Sequence, residues 1–220
     1  MASVIYSPLV DAVRGKAGSA VFVQGRTGPV LKPRVKPANP KTAAQQSVRG
    51  SMSASSRSFK GLSTPIVGNW RVFAASITKH NPRTGKAYSP TAINAYNSLS
   101  AKFFQINPTG AFPVAPPSAA FIGDSITVQT TATAGQISFA AGSANGANIK
   151  TECLLQPLKS KNRTPTAKGY RTKGFVAYAA GSLYFPVTVP AGWYVPAYRF
   201  VNTLTGQASP LVILPPTQAL

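Results

Sequence analysis

The sequence predicts a mixed, mainly β protein, with an N-terminal arm and hairpin, short helices, and then an antiparallel β-sandwich. Three observations predict it. Apolar residues recur at helical spacing in three segments between residues 42 and 107. The stretch 108–118 is rich in Pro and has neither a helical nor a strand period. Beyond it, short apolar runs are broken by Gly, Pro and Asn at the spacing typical of a sandwich.

These observations divide the chain into four regions. Residues 1–41 form an extended arm and hairpin, 42–107 a helical region, 108–118 a linker, and 119–220 the β-sandwich. Apolar residues have helical spacing before the linker and form short strand-like runs after it, so the linker is the expected domain boundary.

The hairpin is the clearest feature of the first region. One strand is expected from Ala20 to Gln24 and the other from Pro29 to Val35, with a turn at Gly25-Arg26-Thr27-Gly28 between them. Pro29 and Pro33 cannot donate to a strand ladder. The second strand is therefore expected to be an edge strand or part of an arm.

Each helix has its own start and stop signals. In the first, Thr42 and Gln45 make a capping box and Gly61 ends the helix. The second is expected to begin at Thr64-Pro65 and the third at Ser89-Pro90, each with Pro in the first turn. The third ends at Asn107-Pro108. The apolar stripes are Val48, Met52, Ser55 and Phe59; Ile66, Trp70, Phe73 and Ile77; and Ile93, Tyr96, Leu99 and Phe103.

The final region carries about seven short runs with strand character in roughly 100 residues, which is typical of a sandwich. It lacks the Cys…Trp…Cys pattern of antibody domains. The runs are Ile126 to Thr133, Gln136 to Ala140, Ile149 to Gln156, Gly174 to Tyr178, Leu183 to Val189, Tyr194 to Val201 and Pro210 to Leu214.

The composition argues against most enzyme classes. Against 23 Lys and Arg stand only three carboxylate side chains, and there is one His, His80, and one Cys, Cys153. Since Asp11, Asp124 and Glu152 lie in separate segments, a paired-carboxylate glycosidase and a zinc site are not expected. A catalytic His80 would need a nucleophile and an orienting acid, and Asp11 and Asp124 are far from it in the sequence. Cys153 alternates with Leu155, as a buried structural thiol does. No catalytic residue, cofactor, metal or small-molecule substrate is predicted.

The net charge of +20 predicts a polyanionic partner. No apolar run approaches the roughly 20 residues that span a bilayer, and no basic amphipathic helix is apparent, so no membrane partner is expected. Two basic clusters are the candidate nucleic-acid-binding residues, and neither has acids beside it. They are Lys159, Lys161, Arg163, Lys168, Arg171 and Lys173 in the final region, and Arg26, Lys32, Arg34 and Lys36 in the hairpin region.

Aromatic residues allow two interpretations. Trp70, Phe73, Tyr96, Phe103 and Phe104 have the spacing of helix-packing core, which we favour, although rings of this kind can also stack on bases. A second group is dense enough that part of it is expected to contact a partner. Its members are Trp193, Tyr194, Tyr198 and Phe200.

The order of motifs resembles a group of bacteriophage and prophage-type virion proteins. The resemblance rests on Gly15-Lys16-Ala17-Gly18 before the hairpin, Pro37 to Gln45 with Arg49 after it, the Trp70 helix, Asn107-Pro108 with Pro116-Pro117, and the closing pair Arg199 to Asn202 and Thr205 to Ser209. It implies a fibronectin type III-like or immunoglobulin-like β domain at 119–220 and a structural role. It carries no catalytic residue.

The sequence therefore predicts a non-enzymatic virion structural protein of the capsid, portal region or tail. It would be made in the host cytoplasm and would form a homo-oligomer or join other virion proteins. Its basic surface would contact packaged nucleic acid or an acidic protein partner. The alternative is a cytoplasmic protein that binds nucleic acid without sequence specificity and without a particle.

Overall fold

The computed structural model describes residues 2–3, 13, 15–25, 28–35, 38–81 and 84–220. The chain forms two compact units, Met1–Gln46 and Ser47–Leu220. The fold is mixed and mainly β, as expected. The four predicted regions stay a prediction. The compact units divide between residues 46 and 47, and the stretch 108–118 lies inside the second unit.

The first unit contains a four-stranded antiparallel sheet. Its strands are β1 (Ala2–Ser3), β2 (Gly15–Ala17), β3 (Ala20–Gly25) and β4 (Gly28–Pro33), in the order β1-β4-β3-β2. The predicted hairpin is the β3–β4 pair.

The second hairpin strand was expected to be an edge strand or part of an arm, and the edge-strand alternative is wrong, because β1 pairs with its outer side at Val30 and Leu31. Arg34 N donates to Ser19 O, on the side where β3 lies. Backbone N–H groups alternate in direction along a strand, so Pro29 and Pro33 lack their N–H groups on the side of β1. That neighbour is two residues long and pairs only between the two prolines.

The three expected helices form in the described residues, as α1 (Ala43–Lys60), α2 (Thr64–Ser76) and α3 (Ala92–Ile106). Gln45 N donates to Thr42 Oγ1 over 3.3 Å, which confirms half of the capping box. The caps of the other two differ by one or two residues from the prediction. Ser63 precedes α2 and Thr91 precedes α3, and neither side chain caps its helix.

The helices bury an aromatic core. Trp70 and Tyr96 are fully buried with their ring centroids 5.1 Å apart, and Phe59 and Phe112 pack against Tyr96. The helix-packing interpretation of these rings is therefore confirmed. The short pair β5 (Lys79–His80) and β6 (Ala87–Tyr88) lies in the segment between α2 and α3.

Two antiparallel sheets follow. The three-stranded sheet contains β7 (Val128–Thr133), β8 (Gln136–Ala141) and β11 (Tyr184–Thr188) in the order β11-β8-β7. In the five-stranded sheet the order is β10-β9-β12-β13, and β14 pairs with β12 beside β13. Its strands are β9 (Ile149–Leu158), β10 (Arg171–Val176), β12 (Gly192–Asn202), β13 (Val212–Ile213) and β14 (Thr217–Ala219).

Both sheets contribute to one apolar core. Ile137 and Phe139 of β8 are fully buried, as are Cys153 and Leu155 of β9. Alternate residues of each strand point to the same side. The other residues of β9 therefore face away from this core, and among them is Glu152, which is also fully buried.

Several polar contacts join the helices to the β region within the second unit. Trp70 Nε1 donates to Val114 O over 2.8 Å, which packs the Pro-rich stretch against α2. Asn107 Nδ2 donates to Thr203 O over 3.1 Å. Lys102 of α3 reaches Glu152 of β9. The helical and β regions are consequently one compact body.

Candidate nucleic-acid interface

The six candidate residues of the final region all lie in the β9–β10 segment. Four stand on the loop 159–170 and two on β10, which is the edge strand of the five-stranded sheet. All six side chains are exposed. We call this set the basic face, and its members are Lys159, Lys161, Arg163, Lys168, Arg171 and Lys173.

Buried Gln156 fixes the loop against the sheet. It lies on β9, and its Oε1 accepts a hydrogen bond from Thr166 N over 3.2 Å. Gly169 packs so closely on this side chain that a Cβ at that position would overlap Gln156 Cδ. The loop is therefore fixed to the sheet at Thr166 and Gly169, and its charged side chains extend from this fixed segment.

Two members of the basic face have additional contacts. Arg171 Nη1 donates to Lys168 O over 2.9 Å and to Tyr170 O over 3.2 Å, which orders the end of the loop. Lys161 Nζ lies 5.7 Å from the ring centroid of Trp193, within the range of a cation–π contact. These contacts engage carbonyl oxygens and a ring, and none of them neutralises the positive charge.

The described carboxylates are both engaged elsewhere. Asp124 accepts hydrogen bonds from Ser125 N, Gly146 N and Asn145 Nδ2, and so closes a loop of the β region. Glu152 is the acceptor in both ion pairs found among the described residues. The basic face consequently has no carboxylate partner in the described part of the chain.

Glu152 is held by three side chains. Arg199 Nε lies 2.6 Å from Oε2, Lys102 Nζ lies 3.0 Å from both oxygens, and Thr172 Oγ1 donates to Oε1. Burial alone raises the pKa of this carboxyl, but the hydrogen bonds from Arg199 and Thr172 and the charge of Lys102 outweigh burial. The net effect lowers the pKa of Glu152, which therefore stays ionised at neutral pH.

The sequence prediction did not anticipate this cluster. One signal was present, since Glu152 is an acid in a strand whose next three residues are Cys153, Leu154 and Leu155. A buried carboxylate requires cationic partners. The sequence does not identify those partners, because Lys102 and Arg199 lie 50 and 47 residues away along the chain.

The hairpin set of candidate residues lies in the first unit. Lys32 is half-buried on β4, and Arg34 follows that strand and is exposed. Being two residues apart, they point to the same face of the sheet. Arg26 and Lys36 lie outside the described residues.

Cys153 and His80 are the remaining candidate groups. Cys153 is fully buried, and burial raises the pKa of its thiol to about 12, so it is not a reactive thiolate. His80 is exposed, and its Nδ1 lies 3.3 Å from Gly85 O. Within the described ranges, no three His, Cys, Asp or Glu residues come together as a metal site would require, and no helix is long and apolar enough to span a membrane.

The C-terminal aromatic group is mostly core. Tyr194, Tyr198 and Phe200 are buried between the two sheets. Trp193 is half-buried and lies beneath Lys161 on the other side of β12. The high density of rings in this strand is thus accommodated largely by the fold, and only Trp193 reaches the basic face.

No known protein-family model matches this chain, and no curated protein matches it significantly.

Proposed function

We propose that this chain is a non-enzymatic virion structural protein of bacteriophage type, whose basic face contacts the packaged nucleic acid. The observation that carries the proposal is the electrostatic state of the basic face. Six exposed cations lie on one segment, and both described carboxylates are bound elsewhere. Such a surface attracts phosphate regardless of base sequence.

The location of the basic face supports the same role. An exposed edge strand can pair with another chain, and positive charges along the edge discourage that pairing. Lys173 is the extra residue of a bulge, because the β9–β10 register shifts between Thr172 and Gly174. None of the cations lies on a helix that could enter the major groove. We therefore propose contact with the phosphate backbone and no reading of bases.

The first unit supports the assembly part of the proposal. None of the residues of this unit whose exposure is described is buried, and Val23 is 38% exposed. A sheet that presents apolar side chains is stable only when that face is covered. We propose that a neighbouring subunit covers it in the particle. The two sheets of 119–220 sharing one core support our further proposal that this region is a β-sandwich of the fibronectin or immunoglobulin type.

The experiment is a salt titration of duplex DNA binding, measured by fluorescence anisotropy. Each neutralised phosphate contributes roughly 0.9 to the slope of log K against log salt. Changing Lys159, Lys161 and Arg163 together to Ala should flatten the slope by up to about three units, one per lost contact.

The matched control is the triple change of Lys60, Arg71 and Lys86 to Ala. It removes the same charge from exposed positions of the helical region. This control should leave the slope within about one unit of the original. Equal flattening by both triple variants would mean that net charge, not the basic face, drives binding.

Two other results would count against the DNA contact. DNA binding that is absent at low salt, or insensitive to salt, excludes it. If the basic-face variant weakens assembly and leaves DNA affinity unchanged, the partner is an acidic protein surface instead.

A further inference from the structure

A cleft of about 550 Å³ lies between α2 and α3 on one side and the segment 117–121 with the turn 206–208 on the other. We call it the helix–sheet cleft. Its volume falls within the range of small-ligand sites, roughly 300–1,000 Å³. Apolar side chains form one wall, and the charged cluster around Glu152 borders another. The apolar wall is formed by Phe73, Ile77 and Leu99, and Phe121 lies on the opposite side in the segment 117–121.

Arg199 brings a pre-oriented guanidinium to this cleft. Its Nε is bound to Glu152 Oε2 over 2.6 Å, and Glu152 is fully buried and does not move freely. The four hydrogens on its Nη atoms have no acceptor among the described residues. The side chain is 29% exposed and lines the cleft. A fork of free N–H donors is therefore available to whatever occupies the cleft.

Lys102 contributes charge and no free donor. Its three hydrogens are used by Gln105 Oε1 and by both oxygens of Glu152. Lys79, which is exposed, also lines the cleft. Three cations thus line the cleft, and Glu152 pairs with only two of them, Lys102 and Arg199, so the cleft has an excess of positive charge.

We infer that the helix–sheet cleft binds a small organic carboxylate that carries an apolar body. A planar carboxylate matches the Arg199 fork with two parallel hydrogen bonds, which are stronger than neutral ones. The apolar body would lie against the wall formed by Phe73, Ile77 and Leu99, where its burial is favourable. This site is independent of the basic face and of the proposed DNA contact.

The test uses 4-phenylbutyrate as the probe and its neutral amide as the matched compound, with binding measured by calorimetry on the full chain. The acid should bind at one saturable site and the amide at least tenfold more weakly. Arg199→Gln should weaken binding of the acid at least tenfold. Lys168→Gln, which removes one charge outside the cleft, should leave it unchanged.

A second variant keeps the test decisive if Arg199→Gln fails to fold. Ala120 lines the cleft and is exposed, so Ala120→Trp places bulk in the cleft while leaving the Glu152 cluster intact. It should abolish binding with an unchanged circular dichroism spectrum. The inference is overturned if the acid does not bind, if acid and amide bind equally, if Ala120→Trp binds normally, or if inorganic phosphate binds as tightly as the acid.

Discussion

Glu152 is the carboxylate in both ion pairs that the described residues of the second unit form. It is fully buried, it neutralises part of the charge on Lys102 and Arg199, and it joins α3 to the five-stranded sheet. Breaking a buried ion pair by removing one partner is costly, because the other charge remains desolvated. The stability of the interface between the helices and the sheet therefore depends on this residue.

Glu152→Gln should lower the free energy of unfolding by about 3–5 kcal/mol, measured by urea denaturation. The amide keeps the shape and leaves two cations without a counter-charge. Asp124→Asn is the matched control, since Asp124 accepts hydrogen bonds from neutral donors. Asp124→Asn should lower the free energy of unfolding by less, about 1–2 kcal/mol. Equal losses in the two variants would contradict the role assigned to the ion pairs.

The lowered pKa of Glu152 also predicts a pH dependence. In the unfolded chain this carboxyl takes up its proton near pH 4.5, and in the folded protein its lowered pKa means that it does so only at lower pH. Its contribution to stability is therefore complete above that value and is lost as the pH falls through the folded pKa. Because the chain has only three Asp and Glu, few other groups add to this effect. Stability measured from pH 7 to pH 3 should decline less steeply in Glu152→Gln; an unchanged decline contradicts the assignment.

At the scale of elements, the turn after β12 fits closely against α3. Gly206 has a φ of +72°, and a Cβ there would collide with Leu99 O, a backbone atom that cannot rotate away. Its N–H donates to Asn202 O over 2.9 Å, which closes the turn. Only Gly satisfies both the backbone conformation and this approach.

Gly206→Ala should therefore lower the free energy of unfolding by at least about 2 kcal/mol, measured by urea denaturation. Gly181 is the control, because a Cβ there would contact nothing within 4 Å. Gly181→Ala should change stability by less than about 0.5 kcal/mol. A tolerated Gly206→Ala would show that the turn can move away from α3.

Sequence patterns predicted the elements better than their arrangement. Apolar spacing and caps placed the helices within a few residues, since these signals are local. Strand β14 was missed because Thr217–Ala219 is short and polar and is a strand only through its pairing with β12. Exposure of the basic face followed from composition. The helix–sheet cleft could not be predicted from composition, because it depends on contacts between residues distant in sequence, such as Lys102 and Glu152.

At the scale of the whole molecule, a charge of +20 opposes self-association, and the first unit presents exposed apolar side chains that we propose a neighbouring subunit covers. Assembly should consequently depend on both a polyanion and residues 1–41.

Deleting residues 1–41 should leave a folded protein that no longer assembles. Sedimentation velocity with and without DNA measures the assembly, and circular dichroism verifies the fold. The triple variant of Lys60, Arg71 and Lys86 serves as control, since it reduces charge without shortening the chain. If the deletion assembles as the full chain does, the first unit is not the assembly element.

The positions of the two tryptophans have an optical consequence. Trp70 is fully buried in the helical core, and its Nε1 donates a hydrogen bond to Val114 O. Trp193 is half-buried and lies under Lys161 at the edge of the basic face. Each ring is a built-in fluorophore for a different part of the molecule. A ligand that engages Lys161 should change the emission of Trp193 and leave that of Trp70 as it was. In Trp70→Phe the remaining emission would follow the basic face alone, without any attached dye.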